Sequence, residues 1–365
     1  MMRGQQGRLA LAAAAGMAWL TVSLWPFRGD AVLFARRAAA KKLMEQSVTV
    51  CRPPVQAAQT EEPEREEEPP TTEQERPSML FHLLEAPEEE VPEETAEETP
   101  KQEPDESTED IPPMGADADD LELTNSTDHI ELELGDYLDR PVELTLEGEG
   151  PQILIMHTHG TEAYSMADGD EYAPSDHART TDEEHNMIRV GEEIKAVLEE
   201  MGLQVIHDTS LYDYPGYNGS YGRSLKGIAA MLEQYPTIRA VLDVHRDALI
   251  GADGTEYPVT DTVDGEQVAQ VMLVVGTDDG GLEHPRWQDN LTLAAHIQGR
   301  MLDIDPGLPR PVNLRSQRFN QHMTAGSLLV EVGTSGNTLQ EAVAGARLFA
   351  RAAGLTYLEC MEKKD

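Results

Sequence analysis

Residues 153–162 read ILIMHTHGTE, and the reading of the fold turns on them. Ile153-Leu154-Ile155-Met156 is a short, unbroken apolar run after Gly150-Pro151, the pattern of a strand covered on both faces. His157, His159 and Glu162 follow at once, so metal-ligating side chains stand where a buried strand ends. Open α/β sheets bind their ligands beyond the carboxyl ends of the strands.

Upstream, residues 129–134 (HIELEL) and 142–146 (VELTL) alternate as half-buried edge strands do. Downstream, residues 183–201 place Met187, Val190, Ile194, Val197 and Leu198 on one helical face, and Gly202 supplies a stop. The pattern continues as strand 203–206, helix 225–235, strand 240–244, strand 271–275, helix 287–302, strand 328–332 and a last helix from about 339 to 353. Strands alternating with helices of this length predict an α/β fold: three layers, with a mostly parallel sheet flanked by helices, over residues 129–365.

Further strand ends carry the same kind of side chain. The run 240–244 leads into His245-Arg246-Asp247, the run 328–332 carries Glu331-Val332-Gly333, and His185 opens the first long helix. Neutral imidazoles and a carboxylate at converging strand ends are the ingredients of a catalytic zinc centre with an open position for water. His157 and His159 share a face if the strand continues, so either can be the ligand from this segment. Glu162 and Asp243 are suited to accept a ligand imidazole N–H and so fix its tautomer. Histidines 177, 207, 284, 296 and 322 read as surface or core residues.

The 365 residues carry 28 Lys and Arg against 68 Asp and Glu, a net charge of −40. A chain this acidic repels phosphate backbones, and no basic stripe with interleaved aromatics follows residue 60, so nucleic acid is excluded as a partner. Cys51 and Cys360 are the only cysteines, so a metal site must be built from His and carboxylate.

The charge divides the chain. Residues 1–60 hold 8 basic and 2 acidic side chains, whereas residues 61–120 hold 3 and 24, with 10 prolines. The second segment cannot bury enough apolar surface to offset its ordering entropy, so residues 29–128 read as a disordered tether. Residues 9–27 are uncharged, close in helical length to the hydrocarbon core of about 30 Å, with Trp19 and Trp25 toward one interface. Residues 1–28 therefore read as a membrane anchor, in contact with lipid through 9–27. A cleaved signal peptide is the competing reading, but the run is long for one and lacks a small-x-small site. Arg36, Arg37, Lys41 and Lys42 lie just downstream, where the positive-inside rule favours the cytoplasm.

The segments ILIMHTHGTEAY, EEHNMIRVGEEI, LDVHRD and LLVEVG, in this order, resemble the stage II sporulation protein P family of endospore-forming bacteria. These are membrane-anchored relatives of the zinc-dependent N-acetylmuramoyl-L-alanine amidases. The resemblance covers about residues 150–355. It implies Zn2+ held by His159 and His245, with Glu331 as general base. The amidases' remaining ligand is a Glu at the start of the helix that follows; His185 stands there in this chain, with Glu183 and Glu184 one or two residues away. Arg246 is a candidate partner for a stem-peptide carboxylate, its ordinary reading being a salt bridge with Asp247.

The reaction so implied is hydrolysis of the amide between the muramic lactyl group and the first stem-peptide alanine, with peptide cross-links as a further target. Peptidoglycan lies outside the cytoplasmic membrane, so the resemblance implies a single-pass membrane protein whose catalytic domain is extracytoplasmic. In a sporulating cell that places it at the septal or engulfing membrane, in septal wall thinning and engulfment, with stage II sporulation protein D as a partner. The competing class is a non-catalytic tethered scaffold that binds peptidoglycan or a partner lytic enzyme. A serine hydrolase finds no G-x-S-x-G.

Overall fold

The computed structural model describes residues 111–166 and 169–362. The anchor expected at 1–28 and the tether up to residue 110 lie outside them. Among the described residues no helix is long and apolar enough to cross a membrane.

Among the described residues four helices and a central sheet make a mixed α/β fold. The strands of the sheet are β1 (Leu123–Ser126), β2 (Ile153–Met156), β3 (Val205–His207), β4 (Ala240–Asp247), β7 (Val271–Gly276), β8 (Val312–Arg315) and β9 (Gly326–Thr334); β5 (Thr260–Val263) and β6 (Glu266–Ala269) form a separate hairpin. The order is β1-β8-β7-β9-β4-β2-β3. Every neighbouring pair is parallel except β7 and β9. The sheet is therefore mostly parallel, as its apolar runs predict, but β1, β8 and β7 run against the other four. The carboxyl ends of β2, β4 and β9 lie at one end, and the candidate residues gather there.

Helices cover both faces. Ile153, Ile155, Leu242 and Val244 join one core with Met187, Val190, Ile194 and Leu198 of α1 (Met187–Glu200), and with side chains of α3 (Trp287–Ile304) and α4 (Leu339–Glu362). Each such side chain contributes roughly 1.5–3 kcal/mol on burial. On the opposite face Leu154, Met156 and Val241 pack with Ile228 and Met231 of α2 (Ser220–Gln234).

Several boundaries differ from the sequence reading. Residues 129–134 and 142–146 alternate in burial as expected, yet neither stretch pairs with a strand. Ile130, Leu132, Leu134, Val142, Leu144 and Leu146 each pack on the core from an irregular chain, and Leu134–Tyr137 closes into a 3-10 turn. The first strand is instead β1, which adds to β8 at the sheet edge. Ordered structure thus begins before residue 129, inside the span read as tether, because Leu121 and Leu123 reach the core from it. The helix read at 225–235 starts five residues earlier, after Gly219 in the left-handed conformation (φ 80).

Candidate active site

The chain turns as soon as β2 ends, and this separates two histidines that a continuing strand would align. His157 is fully buried, with Nδ1 2.8 Å from the Val244 carbonyl and Nε2 2.8 Å from Nε2 of His207. Burial, with His207 beside it, lowers its pKa to about 3. Both of its ring nitrogens are thus engaged. Helix α1 can lie over the pair because Gly191 is there: a Cβ at that position would stand 2.6 Å from Nε2 of each ring.

His159 goes the other way, into a cluster with Glu162 and His245. Its ring is 5.2 Å from that of His245, edge to face, and its Nδ1 is buried without a hydrogen-bond partner. Burial lowers its pKa, which favours the neutral imidazole. Beneath it, Asp243 Oδ1 accepts from the Thr158 backbone N–H at 2.7 Å and faces His245 Nε2 at 2.8 Å, while Oδ2 accepts from the Thr158 hydroxyl at 2.7 Å. The other His245 nitrogen, Nδ1, lies 3.5 Å from Glu162 Oε2. Burial opposes charge on His245, but Asp243 and Glu162 hold its pKa well above the usual range. Burial likewise opposes charge on Glu162, yet His245 and Arg246 bring its pKa down to about 2.

Glu331 on β9 is the register partner of His245 on β4. Its Oε2 is buried with no hydrogen-bond partner. Burial raises its pKa to about 8; His245 opposes that shift, and Asp247 and Glu162 reinforce it.

His185 stands outside this cluster. It precedes Asn186, whose side chain caps α1 by accepting from Ile188 N–H at 2.9 Å, and its Nδ1 lies 3.0 Å from Asp182 Oδ2. Among the described residues no hydrogen bond or ring contact joins it to His159 or His245. Arg246 does not form the salt bridge with Asp247 that is its ordinary reading. Its guanidinium donates to the carbonyls of Ala163 (2.9 Å) and Ala178 (2.8 Å), pinning the loop after Glu162, while the Asp247 carboxylate pairs with Arg310 at 2.9 Å. A β-bulge between His245 and Asp247 accompanies this turn of the strand.

Four residues that the sequence reading passed over complete the centre. Arg179 reaches Glu162 Oε1 at 3.1 Å and Asp213 Oδ2 at 2.6 Å, and Asp213 accepts from the Thr161 N–H and hydroxyl, which ties the β3–α2 loop to the loop after β2. That loop brings Tyr217 flat against His159, with centroids 4.5 Å apart and planes at 15°; Tyr221 meets the same ring edge to face at 5.6 Å. Burial, and then the carboxylates of Asp243, Glu331 and Glu162, push the Tyr221 pKa up. The signal was in the composition: four of the ten tyrosines fall between positions 212 and 221.

The donors suit a zinc ion in kind: two imidazoles, one with an unpartnered buried nitrogen, and a carboxylate. Among the described residues no three His, Cys, Asp or Glu side chains already form a metal cage. The 3.5 Å between His245 Nδ1 and Glu162 Oε2 is long for a hydrogen bond, and close to the edge of a tetrahedron with bonds of about 2.0–2.1 Å. Asp243 on the opposite nitrogen completes a carboxylate–histidine pair of the kind that orients zinc ligands.

Comparison with solved structures finds N-acetylmuramoyl-L-alanine amidases at low similarity. AmiC2 of Nostoc punctiforme is 13% identical over 58% of this chain and 98% of its own, with a TM-score of 0.34. The amidase of Clostridium difficile 630 is 13% identical over 60% and 100%, TM-score 0.35. CwlD of Clostridioides difficile, solved in complex with the GerS lipoprotein, is 11% identical over 57% and 98%, TM-score 0.36. Likenesses at TM-scores this low fix nothing further about the chain. No curated protein sequence matches it. The family model described as Stage II sporulation protein P (SpoIIP) matches residues 41–354, and with most of its length inside that match the chain belongs to this family.

Proposed function

We propose that this protein is a peptidoglycan hydrolase acting as an N-acetylmuramoyl-L-alanine amidase in sporulation. The observation that carries the reading is the convergence of His159, Glu162 and His245 beside Glu331, whose Oε2 has no partner. Membership of the sporulation family supports the same conclusion. The proposal also keeps residues 9–27 as a membrane anchor that holds the catalytic domain outside the cytoplasm, and stage II sporulation protein D as a partner.

His159, His245 and Glu162 are the residues that would hold zinc. His185, which stands where the amidases carry a ligand Glu, is paired with Asp182, and Glu162 takes its place in this proposal. When bound, zinc supplies a Lewis acid that polarises the scissile carbonyl and acidifies water. Glu331 takes the proton of the attacking water, whose oxygen bonds to the lactyl carbonyl carbon. It then returns that proton to the departing alanine nitrogen as the C–N bond breaks. A carboxyl group raised to about 8 suits both halves of this cycle, because acid/base catalysis is most effective when the pKa lies near the working pH. Asp243 keeps the His245 ring oriented from its other nitrogen.

Mass spectrometry of purified peptidoglycan incubated with the full-length protein tests this. The expected product is free stem peptide beginning with alanine; a substrate that is bound but uncut supports the scaffold instead.

A further inference from the structure

Tyr221 is the residue at the centre whose chemistry is unaccounted for. It lies in the first turn of α2, and that turn is docked on the site: Ser224 Oγ lies 2.8 Å from the Thr158 hydroxyl, which donates its proton to Asp243. Asn320 fastens the same turn from the other side, donating to the Tyr221 carbonyl at 2.9 Å and to Ser224 Oγ at 3.2 Å. The Tyr221 ring is held between His159, 5.6 Å away, and Phe319, 5.9 Å away. Phe319 packs on Met272 and Leu329, and Met272 is the β7 register partner of Glu331. The ring therefore lies between a histidine of the centre and a phenylalanine packed on the strand that carries the general base.

Its hydroxyl makes no hydrogen bond with any other described residue. A phenol is protonated at neutral pH and donates one hydrogen bond. Most of the charged groups pressed against the centre already have a task. Asp243 and Thr158 orient His245, the Arg179 guanidinium and the Arg246 backbone N–H hold Glu162, and Glu331 moves the proton. The hydroxyl of Tyr221 is a donor that no described side chain or carbonyl occupies.

We infer that Tyr221 is a catalytic residue whose O–H donates a hydrogen bond to the carbonyl oxygen of the scissile amide as that oxygen becomes an oxyanion. This rests on the hydrolytic reading above and names a group that the reading leaves out. In the step concerned, the water oxygen bonds to the carbonyl carbon, the water proton goes to Glu331, and the π pair of the C=O bond moves onto its oxygen. Tyr221 donates to that oxygen and keeps its own proton. The pair then returns, the C–N bond breaks, and the proton on Glu331 passes to the amine, so the sum is amide plus water to acid plus amine. A donor aimed at charge that develops only in the transition state raises kcat and leaves substrate binding unchanged.

The test is Tyr221→Phe, which removes one oxygen and keeps the ring between His159 and Phe319. Two readings are taken on the full-length protein: steady-state release of stem peptide, and affinity for a muramoyl-peptide phosphinate whose tetrahedral phosphorus replaces the scissile carbonyl carbon. The expected result is a fall in kcat of about 10²-fold with KM unchanged, a matching loss of phosphinate affinity, and an unaltered melting midpoint. A kcat within about twofold of wild type, a loss confined to KM, or undiminished phosphinate binding overturns the assignment of Tyr221 alone. A wild-type protein that releases no stem peptide overturns the hydrolytic reading, and this one with it.

Discussion

His245 and Glu331 are register partners across the parallel strands β4 and β9, so a histidine fixed by two carboxylates and a carboxyl group with an unpartnered oxygen rise from the same face of the sheet. Strand register, which two buried apolar runs determine, thus sets the distance between ligand and base. The loops contribute the rest of the centre.

Replacing the base and replacing a ligand should fail differently. Glu331→Gln removes the proton acceptor and leaves His159, Glu162 and His245 in place. Turnover should drop by about 10²–10⁴-fold, while zinc content measured by elemental analysis stays at the wild-type level. His245→Ala should lose zinc and activity together.

Glu162 and His185 compete for the third ligand position, and zinc titration separates them. Glu162→Gln should weaken zinc binding sharply, because it removes the carboxylate 3.5 Å from His245 Nδ1. His185→Gln should leave zinc affinity unchanged and forfeit only the partly exposed contact with Asp182. The reverse pattern restores His185 as the ligand at the helix start.

Gly191→Ala tests the packing behind His157. The added methyl would meet two imidazole nitrogens at 2.6 Å, and neither ring can move without giving up a hydrogen bond to Val244 or Glu192. Overpacking of this kind costs about 1–3 kcal/mol, readable as a lower urea midpoint at unchanged slope.

The stability of the folded domain should fall with acid through a histidine remote from the site in sequence. His284 is buried, neither ring nitrogen has a hydrogen-bond partner, and burial lowers its pKa to about 4. The unfolded chain takes up this proton near pH 6.5 and the folded one only near 4, so protonation favours unfolding. The loss sets in below about 6.5 and is complete below about 4. His284→Leu should flatten the dependence of unfolding free energy on pH across that window.

The buried runs at 153–156, 240–244, 271–275 and 328–332 were legible because a central parallel strand is apolar at successive positions. Residues 129–134 and 142–146 misled for a related reason: alternation reports which side chains are buried, not whether a neighbouring strand pairs with the backbone. The β5–β6 hairpin was legible and missed, for Asp264-Gly265 is a two-residue turn signal, and both residues have positive φ (51 and 88). Strand β8 has four residues bounded by Pro311, too few to show a period. At the site, His159, His245, Asp243, Glu162 and Glu331 could be named because they sit on or just after strands. Tyr217, Arg179 and Asp213 lie on loops without a period and Tyr221 in the first turn of α2, so the local run of tyrosines was the one mark they left in the sequence.

Hydrolysis in water labelled with oxygen-18 tests the central claim most directly, because it identifies the bond broken and the atom that breaks it. Peptidoglycan digested by the full-length protein, with and without a zinc chelator, is analysed by mass spectrometry. The expected result is one labelled oxygen in the muramic lactyl carboxylate, stem peptides with a free alanine amine and no label, and loss of both products on chelation. Label appearing only in a stem-peptide carboxyl, release unaffected by the chelator, or no release at all would contradict it.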